Sequence, residues 1–279
     1  MSPARRHRVD VSPLPPWLDA RRLLDDGDWQ SDGSLWHGER SAPEAADLAA
    51  RLRGLVLDGE EVACRVYPKL ARPLVRAART EDARRRRDTT PGFLQPGARA
   101  SGEGRFSLSP EPLARALGRR AAGLRVLDAG CGAGGNTLGF AAAGCEVLAV
   151  DHDAGRLADA RHNAATYGLT PHIDFHLGDA IDAARTAAVD LIFVDPPWSD
   201  APKAANAQDL PPLPELLAIA QRRQLTLWAK LPPGFRTASA PKATYRAAFG
   251  AASGDRRRIK WVLGQWPAEL SGGGDAPAP

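Results

Sequence analysis

From residue 124 onward, short apolar runs alternate with amphipathic stretches. "LRVLDAG", "EVLAVD", "HIDFHLGD", "VDLIFVD" and "LTLWAKL" read as five strands. Between them lie helical patterns. "GGNTLGFAAAG" is a small-residue helix stopped by Gly144, and "DAGRLADARHNAATYG" is capped by Asp153 and stopped by Gly168. A short helix precedes the fourth strand, and "LPELLAIAQRR" precedes the fifth. Strands alternating with helices predict a parallel sheet with right-handed crossovers and helices on both faces. The unbroken apolar runs fit strands buried on both sides. "ATYRAAF" reads as helix or strand and "IKWVLGQW" as strand; together they predict a closing antiparallel hairpin around "GAASGDRRR". The expected class is α/β: a doubly wound, Rossmann-like sheet, mostly parallel.

Upstream the rhythm is weaker. Residues 1–43 are rich in Pro, Gly, Asp and Trp and read as an irregular arm with a short helix at 17–25. Trp17, Trp29 and Trp36 in that arm read as packing anchors rather than base platforms. Leu48, Leu52, Leu55 and Val56 share one helical face, which predicts a helix over 44–57. A second helix is expected over 72–87, ending in the arginine run 84–87. Residues 88–104 read as a linker. "SLSPEPLARALGRR" reads as a helix capped by Ser109, with Pro110 in its first position. The expected organisation is thus an arm (1–43), a mainly helical extension and linker (44–104), a main domain (105–268) and a disordered tail (269–279).

Composition adds limits. The chain has 279 residues, 43% apolar and 25% charged, which suits soluble globular material. No apolar run approaches the ~18 residues of a membrane span. The N-terminus lacks the apolar segment of a signal peptide, so a cytoplasmic protein is expected. Cys64, Cys131 and Cys145 have no metal-like spacing and no even pairing, and no metal site is expected. A net charge of +4 is compatible with a polyanion partner.

Ligands of such sheets bind at the carboxyl ends of the strands. The first strand runs into "DAGCGAGGNT" at 128–137; the second ends at Asp151, the third at Asp179 and the fourth in "DPPW". Gly130, Gly132 and Gly135 satisfy G-x-G-x-x-G, and Asp151 follows about 20 residues on, as in a dinucleotide site. That pattern alone does not separate NAD from S-adenosylmethionine. Two acids favour the methyl donor. Asp128 stands before the glycines, where it suits a ligand amine and not a pyrophosphate, and Asp179 suits an adenine amine. Asp151 suits both ribose hydroxyls as a double acceptor. The glycines leave bare backbone for the methionine portion. Asn136 and Thr137 serve either the ligand or the exposed amides that open the helix. Gly134, His152 and Ala180 complete the candidate set. Cys131 reads as a packing residue, not a nucleophile.

Asp195-Pro196-Pro197-Trp198 sits where a methyl acceptor would approach. A planar exocyclic amine is a poor nucleophile, because its lone pair is delocalised into the ring. The Asp195 carboxylate and the Pro196 carbonyl are expected to accept its N–H bonds. Pro196 and Pro197 stiffen the loop, and Trp198 offers a face on which a base can stack. "KLPPGF" at 230–235 is a further candidate for substrate contact.

"VLDAGCGAGGNTLGFA", "VLAVDHDAGRLADARHNAATYG" and "DLIFVDPPW", with "RFSLSPEPLARAL" upstream, resemble the trimethylguanosine synthase family of RNA cap guanine-N2 methyltransferases. The resemblance covers roughly 105–200. It implies a class I methyltransferase fold, S-adenosylmethionine as cofactor, donor contacts by Asp128, Asp151 and Asp179, and stacking of guanine on Trp198. Ser109 falls where the family has a threonine near the donor. Asp195 replaces the family's usual serine and is similar to bacterial enzymes that methylate guanine N2 in ribosomal RNA. The glycine-glycine-proline and tyrosine that follow the tryptophan in the family are absent. A bacterial relative acting on structured RNA is therefore expected, with a flipped base. The run 84–87 reads either as a solvated helix end or as a guide for RNA phosphates. The same planar-amine geometry also suits adenine N6, cytosine N4 or a glutamine amide, and an RNA-binding module without turnover stands as the non-enzymatic alternative.

Overall fold

The computed structural model describes residues 6–86, 90–101, 108–198, 200–252 and 254–268. The contacts divide the chain into two compact units. One comprises residues 1–90, 198–209 and 231–263; the other comprises 91–197, 210–230 and 264–279.

The first unit departs from the expected arm and helical extension. Strands β1 (Arg6–Ser12), β2 (Trp29–Asp32), β3 (Leu35–Ser41) and β6 (Ala63–Tyr67) form a four-stranded sheet in the order β2-β3-β1-β6. The physical reason lies in "RHRVDVS": His7, Val9 and Val11 point inward while Arg6 and Arg8 face out, the period-2 pattern of a half-buried strand. The expected helix at 17–25 is one turn, α1 (Ala20–Leu23), capped by Asp19. Helix α2 (Ala42–Leu52) opens on a Ser41–Glu44 capping box and stops short of the expected residue 57. Gly54 turns the chain in the left-handed region (φ 70°), and Val56–Leu57 become β4, paired with β5 (Glu60–Glu61). Helix α3 (Arg72–Arg85) follows its expected span and packs on α2. Trp29 is buried among Val9, Val11, Leu23 and Leu48, with Trp17 and Trp36 packed against that cluster.

In the second unit, β7 (Arg125–Ala129), β8 (Glu146–Asp151), β9 (Ile173–Leu177), β10 (Leu191–Val194) and β11 (Thr226–Leu231) pair in parallel. The seven-stranded sheet order is β12-β13-β11-β10-β7-β8-β9, mostly parallel; β12 (Thr244–Phe249) and β13 (Ile259–Trp266) as far as residue 263 are counted with the first unit. The helices are α4 (Glu111–Arg120), α5 (Gly135–Ala141), α6 (Ala154–Thr166), α7 (Ala180–Thr186) and α8 (Leu213–Arg223). Ser109 does not cap α4; Pro110 occupies that position, and the Ser109 hydroxyl is engaged elsewhere. Phe140 of α5 meets Phe193 of β10 edge-on at 5.1 Å between ring centres, which fixes the helix that follows the glycine loop over the sheet. Gly118 of α4 and Gly139 of α5 let the two helices touch backbone to backbone.

The units do not follow the expected boundaries at 43/44 and 104/105. The tail 269–279 lies outside the described residues. Among the described residues, no helix is long and apolar enough to cross a membrane, and no cluster of metal-ligating side chains occurs.

Candidate active site

The parallel register aligns the strand ends. Val194 stands beside Ala129 and Ala229, so Asp195, Gly130 and Lys230 follow in one row. Gly130 and Gly132 have φ of 90° and 55°, and a side chain on either would meet nothing within 4 Å. The loop thus presents open backbone. It is tied to β8 by the amides of Gly130 and Cys131, both donating to the Val150 carbonyl at 2.9 Å. Gly134 (φ 89°) opens α5, and a side chain on Gly135 would press on Leu108. Asn163 of α6, fully buried, donates to the Ala133 carbonyl at 2.9 Å and so supports the loop from behind.

Asp151, 3% exposed, is tethered at both oxygens. It accepts from the Gly132 amide at 2.8 Å and from the Asp153 amide at 2.9 Å. Each oxygen retains a second lone-pair direction. His152 beside it is exposed. Asp179 is exposed and caps α7 through the Ile181 amide at 2.6 Å; Ala180 is half-buried in the first turn.

Asn136 and Thr137 do not cap α5. Thr137 donates to Asp128 at 2.5 Å, and Asn136 Nδ2 donates to Asp195 at 3.2 Å. A carboxylate only accepts, so the Asn136 amide must turn its nitrogen toward Asp195. Its Oδ1 is then buried without a hydrogen-bond partner among the described residues. Burial, with the charges of Asp195 and Asp151 nearby, pushes the Asp128 carboxyl up to about 7, against the pull of the Thr137 hydrogen bond. The buried Cys131 thiol is pushed well above its usual range by desolvation and the same acids, so it stays protonated.

Lys230 enters the sequence reading only as the first residue of "KLPPGF", a candidate for substrate contact; its pairing with Asp195 is not foreseen there. It is 5% exposed in a strand buried along its length, and its Nζ donates to Asp195 Oδ2 at 2.6 Å and to Ser109 Oγ at 3.0 Å. A buried ammonium needs a counter-charge. One signal was available: a lone lysine inside "LTLWAKL", where both faces of the strand are covered. Ser109, Asn136, Lys230 and Asp195 thus form one polar cluster. Pro196 is buried and Pro197 exposed. Trp198 is half-buried and falls in the other unit, where its carbonyl accepts from the Ala201 amide at 3.3 Å.

The sheet order, the glycine loop and the acid-tipped strands define a class I methyltransferase fold. A solved structure agrees: the putative methyltransferase from Porphyromonas gingivalis W83 superposes with a TM-score of 0.50 at 19% identity, over 81% of this chain and 58% of that one. Within that class, residues 124–207 match the family described as RNA cap guanine-N2 methyltransferase. Trimethylguanosine synthase from Schizosaccharomyces pombe is 31% identical over 103 residues, 33% of this chain and 43% of that protein. The 23S rRNA (uracil(1939)-C(5))-methyltransferase RlmD from Acidithiobacillus ferrooxidans is 37% identical over 84 residues, 28% of this chain and 19% of that protein. The chain therefore spans less than half the length of these curated relatives.

The cofactor of this class is S-adenosylmethionine, and the residues present fit it. The open backbone at Gly130 and Gly132, the unmet acceptor of Asn136 and the two buried acids suit a ligand with an ammonium, a ribose and a sulfonium.

Proposed function

We propose that this protein methylates an exocyclic amino group of RNA, guanine N2 in the first place. The observation that carries this reading is Asp195: a carboxylate at the end of β10, held by Lys230 and Asn136, next to the glycine loop.

When bound, S-adenosylmethionine supplies a methyl group carried on a positively charged sulfur. Gly130, Gly132, Asp128, Asp151 and Asp179 would hold it, with Ser109, Gly134, Asn136, Thr137, His152 and Ala180 around them. The chain's own contribution is positioning and charge. Asp195 and the Pro196 carbonyl accept the N–H bonds of the amine, which returns electron density to nitrogen and turns its lone pair toward the donor. Lys230 and Asn136 keep the carboxylate from rotating, because both bond the same oxygen. When nitrogen gains the methyl group it loses one proton, for which Asp195 is the nearest acceptor on this reading. Trp198 stacks on the base.

The RlmD relatives raise a different acceptor, an aromatic carbon. Such a carbon is activated by adding a nucleophile to the ring, and a thiolate is the usual choice. Here the thiols of Cys64, Cys131 and Cys145 are all pushed up by burial, Cys64 to about 12. None of the three belongs to the polar cluster of Ser109, Asn136, Lys230 and Asp195, which favours the amine.

Purified protein incubated with labelled S-adenosylmethionine and RNA, followed by digestion to nucleosides, tests the reading. Label in N2-methylguanosine that disappears in Asp195→Ala is the expected result. Label in N6-methyladenosine or N4-methylcytidine would move the acceptor; label in 5-methyluridine would overturn the mechanism.

A further inference from the structure

The arginines that stand out in the sequence are not the ones left open in the structure. Arg85 pairs with Asp47 at 3.0 Å and Glu81 at 3.1 Å, Arg86 pairs with Asp82 at 2.8 Å, and Arg84 lies 3.9 Å from Glu81. Arg87 lies outside the described residues. Farther toward the start of α3, Arg72, Arg76 and Arg79 are exposed, and among the described residues none of them pairs with a carboxylate. With Arg84 they line an open groove of about 970 Å³ whose apolar lining includes Leu70 and Val75.

Their spacing along the helix is four, three and five residues. At ~1.5 Å of rise per residue the four guanidinium stems span about 18 Å, a ladder of charge and not a point. The two acids of α3 leave Arg72, Arg76 and Arg79 uncompensated. Glu81 is taken by Arg84 and Arg85, and Asp82 is buried against Arg86 and Arg258. Arg72 and Arg76 stand four apart and Arg76 and Arg79 three apart, so like charges face each other on one side of the helix. Arg72 also sits in the first turn, which holds no acid, at the positive end of the helix dipole. This arrangement costs stability in the free protein. A polyanion laid along the groove relieves it.

We infer that the arginine face of α3 is a docking surface for the phosphate backbone of RNA. The inference rests on RNA being the substrate of the proposed reaction. Guanidinium groups bind phosphates with paired N–H bonds, and Leu70 and Val75 give the sugars an apolar floor. Contact of this kind carries no sequence information; it supplies affinity and register.

The test is the salt dependence of RNA binding by the full chain. Three lost contacts reduce the slope of log K against log salt by roughly 2 for single-stranded RNA. The variant Arg72→Gln/Arg76→Gln/Arg79→Gln is expected to show that reduction and to bind at least ~10-fold more weakly at low salt. Arg72→Lys/Arg76→Lys/Arg79→Lys should keep the slope. Arg119→Gln/Arg222→Gln/Arg256→Gln, which removes the same charge from exposed sites elsewhere, should also keep it. An unchanged slope in the α3 variant, or an equal loss in the control, overturns the inference. So does loss of binding to anionic vesicles in place of RNA. Asp195→Ala separates the two readings: it should abolish methyl transfer and leave the RNA-binding slope intact. If methyl label falls in DNA or protein, the proposed reaction fails while the slope still decides the role of α3.

Discussion

At the scale of single residues, the site depends on how buried charge is paired. Lys230 and Asp195 are held 2.6 Å apart, with side chains 7% and 14% exposed. Breaking such a pair strands the other charge, and the cost is on the order of 3 kcal/mol. Lys230→Met is therefore expected to lower stability by about that amount in urea or thermal unfolding. Lys230→Met/Asp195→Leu should recover part of the loss, because it strands nothing. Asp195→Asn keeps the shape and two acceptor directions fewer. It should slow methyl transfer at least ~100-fold with donor affinity little changed, which single-turnover rates and donor titration separate. Asp128 adds a pH dependence. Its carboxyl titrates near 7 when folded and near 3.8 in its ordinary state. Between those values the unfolded chain releases the proton and the folded one retains it, so this group makes stability fall as pH rises. The slope approaches ~1.4 kcal/mol per pH unit between about pH 4 and 7. Asp128→Asn should remove that slope from unfolding curves compared at pH 5 and 7.

At the scale of elements, legibility followed local chemistry. The strand–loop–helix units of the sheet were readable because apolar runs, capping acids such as Asp153 and stop residues such as Gly168 act within one turn of where they stand. The arm was misread because "RHRVDVS" carries its strand signal in only three inward residues among arginines and an aspartate. The roles of Lys230, read only as part of "KLPPGF", and of Asn163 were illegible for another reason. Their roles depend on partners 35 and 30 positions away, which no local pattern reports. The small residues of α5 were legible as helix, but not their purpose. A methyl group on Gly139 would overlap the backbone of Ala114, and one on Gly118 would overlap Gly139. Gly139→Ala is thus expected to destabilise the protein by about 1–3 kcal/mol and to displace the glycine loop with α5. Thermal unfolding and donor affinity should fall together. Ala143→Gly, in the turn just beyond the helix, should leave the loop in place.

At the scale of the whole molecule, donor binding, charge and stability are linked. A ligand that binds only the folded state raises its stability with the logarithm of one plus the ratio of free ligand to Kd, by about 2.7 kcal/mol at 100 times Kd. On the proposed reading the ligand brings a cationic amine to Asp128. The protein must then ionise a carboxyl that in the free state holds its proton up to about pH 7. Below that pH the proton has to leave before the ion pair forms, so affinity should drop as pH falls, by up to ~10-fold per unit. The sign is opposite to the pH effect on the free protein: acid steadies the empty fold and weakens the binding of the ligand. S-adenosylhomocysteine should therefore give a larger thermal shift at pH 7.5 than at pH 5.5, with proton release on binding near pH 6.5. Asp128→Asn should flatten that profile while keeping the loop geometry at Gly130 and Gly132. A wild-type shift that does not vary with pH would place the amine on another acceptor, and the unmet Oδ1 of Asn136 is the next one available.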